Sequence, residues 1–280
     1  MKNRKPDFII GGAPKSGTSS LYFWLDAHPE CCGSRVKETF FWGDKVNRFN
    51  EGANHIEHGK DAYGKFFSHC PENTKPFEAT AHYLYYQTPI NEFSAWENPP
   101  KMIFLLREPS AQIYSHYRME RFRTKRYDGS FKDYLDLPKV RPYAEYAQAL
   151  QPWFENYPND KIGIWTFEEL MSNKVETMKA ISEFLEIDGS FYTNFDFEHR
   201  NETVAIKSGW LHQLGLKLQP LIPNSVQKAL LPIYLKMNSG GVPEKSEDEL
   251  QIKAELKKSY RQANEALHKL VPSLNITDWK

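Results

Sequence analysis

The segment from Asp7 to Gly12 reads Asp-Phe-Ile-Ile-Gly-Gly, an apolar run that ends in two glycines. It predicts a short buried strand. Pro14 to Ser20 follows as a loop. From Ser19 to Ala27 the residues Leu21, Trp24 and Leu25 fall on one face at helical spacing, and His28-Pro29 ends that element. Strand, glycine-bearing loop, helix is the opening of a nucleotide-binding α/β unit.

The alternation continues. Pro76 to Leu84 predicts a second strand. Met102 to Leu106 is almost wholly apolar, as in a strand buried on both faces of a parallel sheet. Pro109, tolerated in a first helical turn, opens a helix that runs to about Arg123. Lys161 to Phe167 is a further strand. Glu168 to Glu186 follows as a helix with Leu170, Val175, Met178, Ile181, Phe184 and Leu185 inward. Residues 43–75 suggest loops and short helices over one face. Ile206 to Val242, broken by Pro220, Pro223 and Pro232, suggests short helices or a lid. Ser246 to Leu270 is a polar helix with an apolar stripe of Leu256, Tyr260, Ala263, Leu267 and Leu270. The expected fold is one α/β domain over 1–280, P-loop-like and three-layered, with a central, mainly parallel sheet and a helical C-terminal section.

Composition bounds the function. A chain of 280 residues suffices for one large domain with a buried core. Lys and Arg number 36 and so do Asp and Glu, so a whole-molecule basic field for nucleic acid is absent and any anion site is local. Phe8 to Ile10 is too short for a signal peptide or a membrane span. The three cysteines, Cys31, Cys32 and Cys70, form no CxxC pair, and neighbours such as Cys31 and Cys32 rarely bridge each other. Reduced thiols in a cytoplasmic protein are the expectation. The nine histidines lack an HExxH spacing, so no metal is expected. Asn201-Glu202-Thr203 and Asn275-Ile276-Thr277 fit the glycosylation pattern, which matters only in a secretory lumen.

Two segments suit anions. In Gly12-Ala13-Pro14-Lys15-Ser16-Gly17-Thr18-Ser19-Ser20, small residues let backbone N–H groups point at an anion, the helix N-terminus adds its dipole, and Lys15 adds charge. This is not the Walker loop of nucleoside triphosphatases, in which Gly-Lys-Ser/Thr opens the helix. Lys15 precedes Gly17 by two residues and Thr18 follows it. A simple glycine turn is the plainer alternative. Arg107 ends the strand Met102 to Leu106, at the sheet edge where open α/β sheets bind ligands, and Ser115 lies about two helical turns beyond. An arginine fork with a hydroxyl suits a phosphate monoester. A strand-end salt bridge would explain Arg107 equally well on its own.

Pro14-Lys15-Ser16-Gly17-Thr18-Ser19 resembles the 5′-phosphosulfate loop of sulfotransferases that use 3′-phosphoadenosine 5′-phosphosulfate (PAPS). Arg107-Glu108-Pro109 followed by Ser115 resembles the 3′-phosphate element of the same family. The resemblance implies that Lys15, Ser16, Gly17, Thr18 and Ser19 hold the 5′-phosphate end, that Lys15 steadies the departing oxygen, and that Arg107 and Ser115 hold the 3′-phosphate. Lys207 is the candidate for a further basic contact. Trp279 is similar to the tryptophan that ends many such chains. A small-molecule or nucleotide kinase shares the strand-loop-helix opening but needs the Walker lysine. A non-catalytic module binding adenosine bisphosphate would keep the phosphate elements and lack a base.

Lys37-Glu38-Thr39-Phe40-Phe41-Trp42 places a charged pair beside bulky aromatics. A carboxylate packed on aromatics gains proton affinity, which suits a general base; a surface ion pair before a core strand is the alternative. The segment resembles the Lys-Glu-Pro-His-Phe-Phe element of glycan-type sulfotransferases, which implies Glu38 as base and places Lys37 in the active site. Thr39 stands for its proline, Phe40 for its histidine and Trp42 for its second phenylalanine. Pinning the two phenylalanines without a gap would instead put Lys37 at the base position. His82 and His116 are the rival bases, His82 ranking ahead as in small-molecule sulfotransferases and His116 having a solvent-facing position as its plainer alternative. Glu78-Ala79-Thr80 resembles an acidic-Lys-Thr substrate element, with Ala79 replacing the lysine. Arg118, Arg121, Arg123, Lys125 and Arg126 read first as a solvated helix end and second as an anion-attracting patch. A saccharide, a lipid-linked glycan and a small alcohol are all open as acceptor, and aromatics such as Trp42, Tyr83, Tyr85, Tyr86 and Trp96 could stack on sugar rings.

Overall fold

The computed structural model describes residues 4–47, 53–197, 205–206, 239–241 and 243–279. Five strands, all parallel, form its central sheet: β1 (Phe8–Gly12), β2 (Cys31–Gly33), β3 (Lys75–Ala79), β4 (Lys101–Leu106) and β5 (Ile162–Thr166), in the order β2-β3-β1-β4-β5. Period-two alternation divides their side chains. Phe8, Ile10, Phe77, Ile103 and Leu105 face one core layer, and Ile9, Met102, Phe104 and Leu106 face the other.

Helices cover both faces. On the first lie α1 (Thr18–Asp26), through Leu21, Trp24 and Leu25, and α7 (Lys174–Leu185), through Met178, Ile181 and Leu185. On the second lie α2 (Gln87–Ser94), α5 (Tyr146–Asn156) and α9 (Arg261–Leu270), through Phe93, Trp153 and Leu267, together with Trp279. A third cluster joins α3 (Pro109–Arg118), α4 (Phe131–Leu135) and α8 (Glu247–Ser259). The expected three-layer arrangement and the helical C-terminal section are both present.

Strand order fixes where a ligand can go. The chain leaves β1 towards β2 and β3, whereas it leaves the neighbouring β4 towards β5. The loops after β1 and β4 therefore diverge and leave a crevice at the carboxyl ends of the strands.

Several boundaries differ from expectation. The second strand ends at Ala79, five residues early: Thr80 N donating to Ile10 O is the last rung to β1, and the chain then turns into a 3₁₀ segment, Tyr83–Tyr85. The three-residue β2 has too little pattern to register in sequence. The helix expected from Glu168 is two: α6 (Phe167–Ser172), capped by Thr166, and α7 beyond Asn173. The C-terminal helix breaks at Tyr260, which is buried and donates to Arg141 O at 2.7 Å. The helix from Pro109 ends as a π turn over Met119–Arg123. Lys207 and nearly all of Ile206 to Val242 lie outside the described residues.

The expectation of three free thiols is corrected. Cys32 and Cys70 form a disulfide across 5.7 Å between Cα atoms, joining β2 to the segment before β3. The pleat sends Cys31, a free thiol, to the opposite face. Disulfides persist in oxidising surroundings, so cysteine usage no longer supports the cytoplasmic expectation. Among the described residues no helix is long and apolar enough to cross a membrane.

Candidate active site

A cleft of about 630 Å³ opens at the carboxyl ends of β1, β3 and β4. The loop after β1 forms its floor. Gly17 there has φ 88°, and an added Cβ would lie 2.8 Å from Phe167, so glycine is required on both counts. α1 starts directly after Gly17 with no side-chain cap. Its first-turn N–H groups are left to an external acceptor, with Thr18, Ser19 and Ser20 lining the same wall. Lys15 stands over this floor. Burial and the nearby Arg123, Arg107 and Lys37 push its ammonium down to about 8, the mark of a cation held among cations.

Arg107 faces Lys15 from the end of β4. It donates to Lys15 O at 3.0 Å and lies over the Phe167 ring at 4.3 Å. Burial lowers its proton affinity, the carboxylate of Glu168 opposes this, and its buried Nε has no partner. Ser115 joins from α3, and the π turn keeps Met119 and Arg123 on the same wall. Such wide turns recur at functional sites. Arg118 and Arg121 are otherwise engaged: Arg118 pairs with Glu249 at 3.5 Å and Arg121 donates to Tyr117 Oη at 2.6 Å. Of the basic run, Arg123 is the member that lines the cleft.

The opposite wall carries the candidate bases. Glu38 sits in a left-handed conformation, φ 63°, with its amide donating to Ala79 O at 2.7 Å. Its carboxylate accepts from Lys37 Nζ at 2.5 Å and from Ala81 N at 3.0 Å. Phe41 and Trp42 point away into the core, so cation and amide, rather than an aromatic wall, surround this carboxylate. His82 lies beside it, stacked with Tyr86 and tilted against Phe40. Its Nδ1 is buried and unpartnered, and burial lowers its proton affinity against the opposing pull of Glu38.

The expected residues thus separate clearly. Lys15, Gly17, Thr18, Ser19, Glu38, His82, Arg107 and Ser115 share the cleft. Ser16 is wholly buried beneath it. His116, read as a rival base with a surface position as the alternative, lines the cleft. Its Nδ1 meets Tyr134 Oη at 3.0 Å, and burial with Lys15, His82 and Arg126 pushes it down to about 4, leaving a neutral imidazole. It follows Ser115 directly, so helical spacing from Arg107 was the signal that pointed to it. Lys37 lines the cleft beside Glu38, as the resemblance implied, and so does Arg123, from the basic run read second as an anion-attracting patch. Trp42 and Tyr83, considered for sugar stacking, are core; Tyr86 stays half-buried beside His82.

The described residues fit a bisphosphate nucleotide: amides and hydroxyls on one side, an arginine with an unbonded N–H on the other, a lysine between. A sulfotransferase domain model matches residues 5–208. A bifunctional heparan sulfate N-deacetylase/N-sulfotransferase 2 from Bos taurus is 28% identical over 202 residues, covering 66% of this chain and 22% of that protein. A Drosophila melanogaster bifunctional heparan sulfate N-deacetylase/N-sulfotransferase is 24% identical over 291 residues, 88% of this chain and 27% of its own length. The chain spans about a quarter of the length of these curated relatives. In fold, a sulfotransferase from Alicyclobacillus acidocaldarius superposes with TM-score 0.68 at 19% identity, covering 99% of both chains. With the family model covering well over half of the sequence, and its match taking in the ends of both β1 and β4, the chain belongs to the sulfotransferase family.

Proposed function

We propose that this sulfotransferase moves the sulfuryl group of PAPS to a hydroxyl or amine of a saccharide-like acceptor, with Glu38 as general base. The observation that carries the reading is the single cleft in which the β1 loop and Lys15 oppose Arg107 and Ser115, with Glu38 on the wall between. Thr18, Ser19 and the first-turn amides of α1 hold the 5′-phosphate. Arg107 and Ser115 hold the 3′-phosphate. The acceptor oxygen or nitrogen forms its bond to sulfur as the sulfur–oxygen bond to the 5′-phosphate breaks. Glu38 takes the acceptor proton, and Lys15 neutralises the charge growing on the departing oxygen. Similarity to heparan sulfate enzymes supports the saccharide class.

A second reading, a histidine base acting on a small alcohol, is favoured by one observation: the buried Nδ1 of His82 has no partner and its ring lines the cleft. A kinase reading lacks its lysine.

The first test is a thermal shift with 3′-phosphoadenosine 5′-phosphate (PAP) against ATP with magnesium. A ligand held by the native state alone raises stability by mass action. PAP is expected to raise Tm clearly more than ATP does, and equal or greater stabilisation by ATP overturns the donor assignment.

The lowered Lys15 supplies a second prediction. Its charge is fully present well below pH 8 and is lost as pH rises through about 8 in the free protein. A bound anion favours the charged form, so PAP binding near pH 8 takes up a proton and its affinity declines above that pH. The phosphates themselves are fully ionised there. Calorimetry in two buffers of different ionisation enthalpy reads the uptake. Lys15→Met is expected to remove it, and uptake that survives the substitution assigns the proton elsewhere.

A further inference from the structure

A buried carboxylate stands directly behind the Glu38 wall. Glu78, on β3, is wholly buried. Among the described residues no cation pairs with it; four hydroxyls do. Thr39 Oγ1 donates to Oε2, as does Thr80 Oγ1 at 2.8 Å, and Tyr63 Oη donates to Oε1, as does Tyr83 Oη at 3.2 Å. An unpaired charge in a core is costly unless its lone pairs are filled, and here each oxygen receives two donors.

Three of those hydroxyls have a second task. Each has one proton, spent on Glu78, and lone pairs left over. Thr80 Oγ1 accepts from Phe40 N at 3.3 Å, Thr39 Oγ1 from Phe41 N at 3.2 Å, and Tyr83 Oη from Trp42 N at 3.2 Å. Three consecutive amides of the turn after Glu38 are therefore held by hydroxyls that Glu78 orients. The turn needs holding. Glu38 and Phe40 both have positive φ, 63° and 48°, a region that non-glycine residues occupy only when their surroundings impose it. Thr39, between them, stands where the similar glycan-type element has proline, which has neither hydroxyl nor N–H. In this chain a hydroxyl network does the fixing.

We propose that Glu78, acting through Thr39, Thr80 and Tyr83, is the positioning residue that holds the Lys37–Trp42 turn so that the Glu38 carboxylate projects into the cleft. It touches no substrate. The proposal rests on the reading of Glu38 as base. Displacement of a reacting group by about 1 Å costs on the order of 10²-fold in rate, and that sets the expected effect.

The test is radiolabelled sulfuryl transfer from PAPS to a pooled panel of glycans and small alcohols, with folding followed by Tm. Thr39→Val keeps volume and removes the proton that meets Glu78. It is expected to lower the rate at saturating PAPS by about 10²-fold and to leave the KM for PAPS unchanged. Thr39→Ser restores the hydroxyl and is expected to restore the rate, which a role in packing alone would not do. Glu78→Gln is expected to act like Thr39→Val; should it fail to fold, the valine–serine pair carries the test unaided. A cycle with Glu38→Gln separates this proposal from the base assignment. If the network acts through Glu38, Thr39→Val adds nothing in the Glu38→Gln background. Full activity in Thr39→Val, or serine failing to rescue, overturns the proposal while leaving Glu38 as base. Near-normal transfer by Glu38→Gln itself overturns the base assignment, and a Thr39→Val loss that persists in that background shows that the network serves another group.

Discussion

Glu38→Gln is expected to lower sulfuryl transfer by about 10²–10⁴-fold, the range typical of a lost general base, while PAP binding and folding survive. Glutamine keeps the shape of the side chain and can still accept from Ala81 N, the contact that carboxylate Oε2 makes at 3.0 Å. It loses the proton acceptor and the charge that faces Lys37. The loss should therefore fall on kcat, with the KM for PAPS nearly unchanged. His82→Asn made in parallel is the necessary partner, because His82 lines the same wall with a free ring nitrogen. The assay is the radiolabelled transfer described above. Near-normal transfer by Glu38→Gln together with loss in His82→Asn would move the chemistry to the histidine and the acceptor class towards small alcohols.

Arg107→Ala is expected to weaken PAP more than it weakens adenosine 5′-phosphosulfate, which lacks the 3′-phosphate. Removing one partner of a desolvated, charge-assisted pair costs roughly 2–5 kcal/mol. The geometry adds a refinement. Arg107 also donates to Lys15 O, so part of the damage passes through the loop and falls on both nucleotides. The excess loss for PAP is the share belonging to the 3′-phosphate. Arg107→Lys restores charge without the fork and should recover only part of that excess. Titration calorimetry with the two nucleotides measures it, and equal weakening of both would mean that Arg107 does not read the 3′-phosphate.

The sequence carried a good deal of this by itself. Apolar runs at Phe8–Ile10 and Met102–Leu106 read as buried strands, and the glycine-bearing loop before Leu21 and the Arg107–Ser115 spacing pointed to the two strand ends that line the cleft. These are local signals, and local pattern suffices where each residue's task is set by its immediate neighbours in the chain. The first basic reading, a solvated helix end, does not describe Arg118 or Arg121, which are partly buried and engaged with Glu249 and Tyr117, whereas Arg123 lines the cleft.

What tertiary structure decided has long-range causes. Cys32 and Cys70 meet because β2 pairs with β3, a contact 38 residues apart in sequence. His116 lines the cleft while Tyr134, on α4, meets its Nδ1. Pro76–Leu84 reads as one strand, yet it stops at Ala79 so that Glu78 can gather hydroxyls from three segments and His82 can reach the cleft. Glu38 owes its surroundings to the same cause: the sequence set it beside aromatics, and folding turned Phe41 and Trp42 into the core and left Lys37 and an amide at the carboxylate. Periodicity along a chain determines which face of an element is buried, but which distant donor satisfies a buried carboxylate depends on how the elements pack.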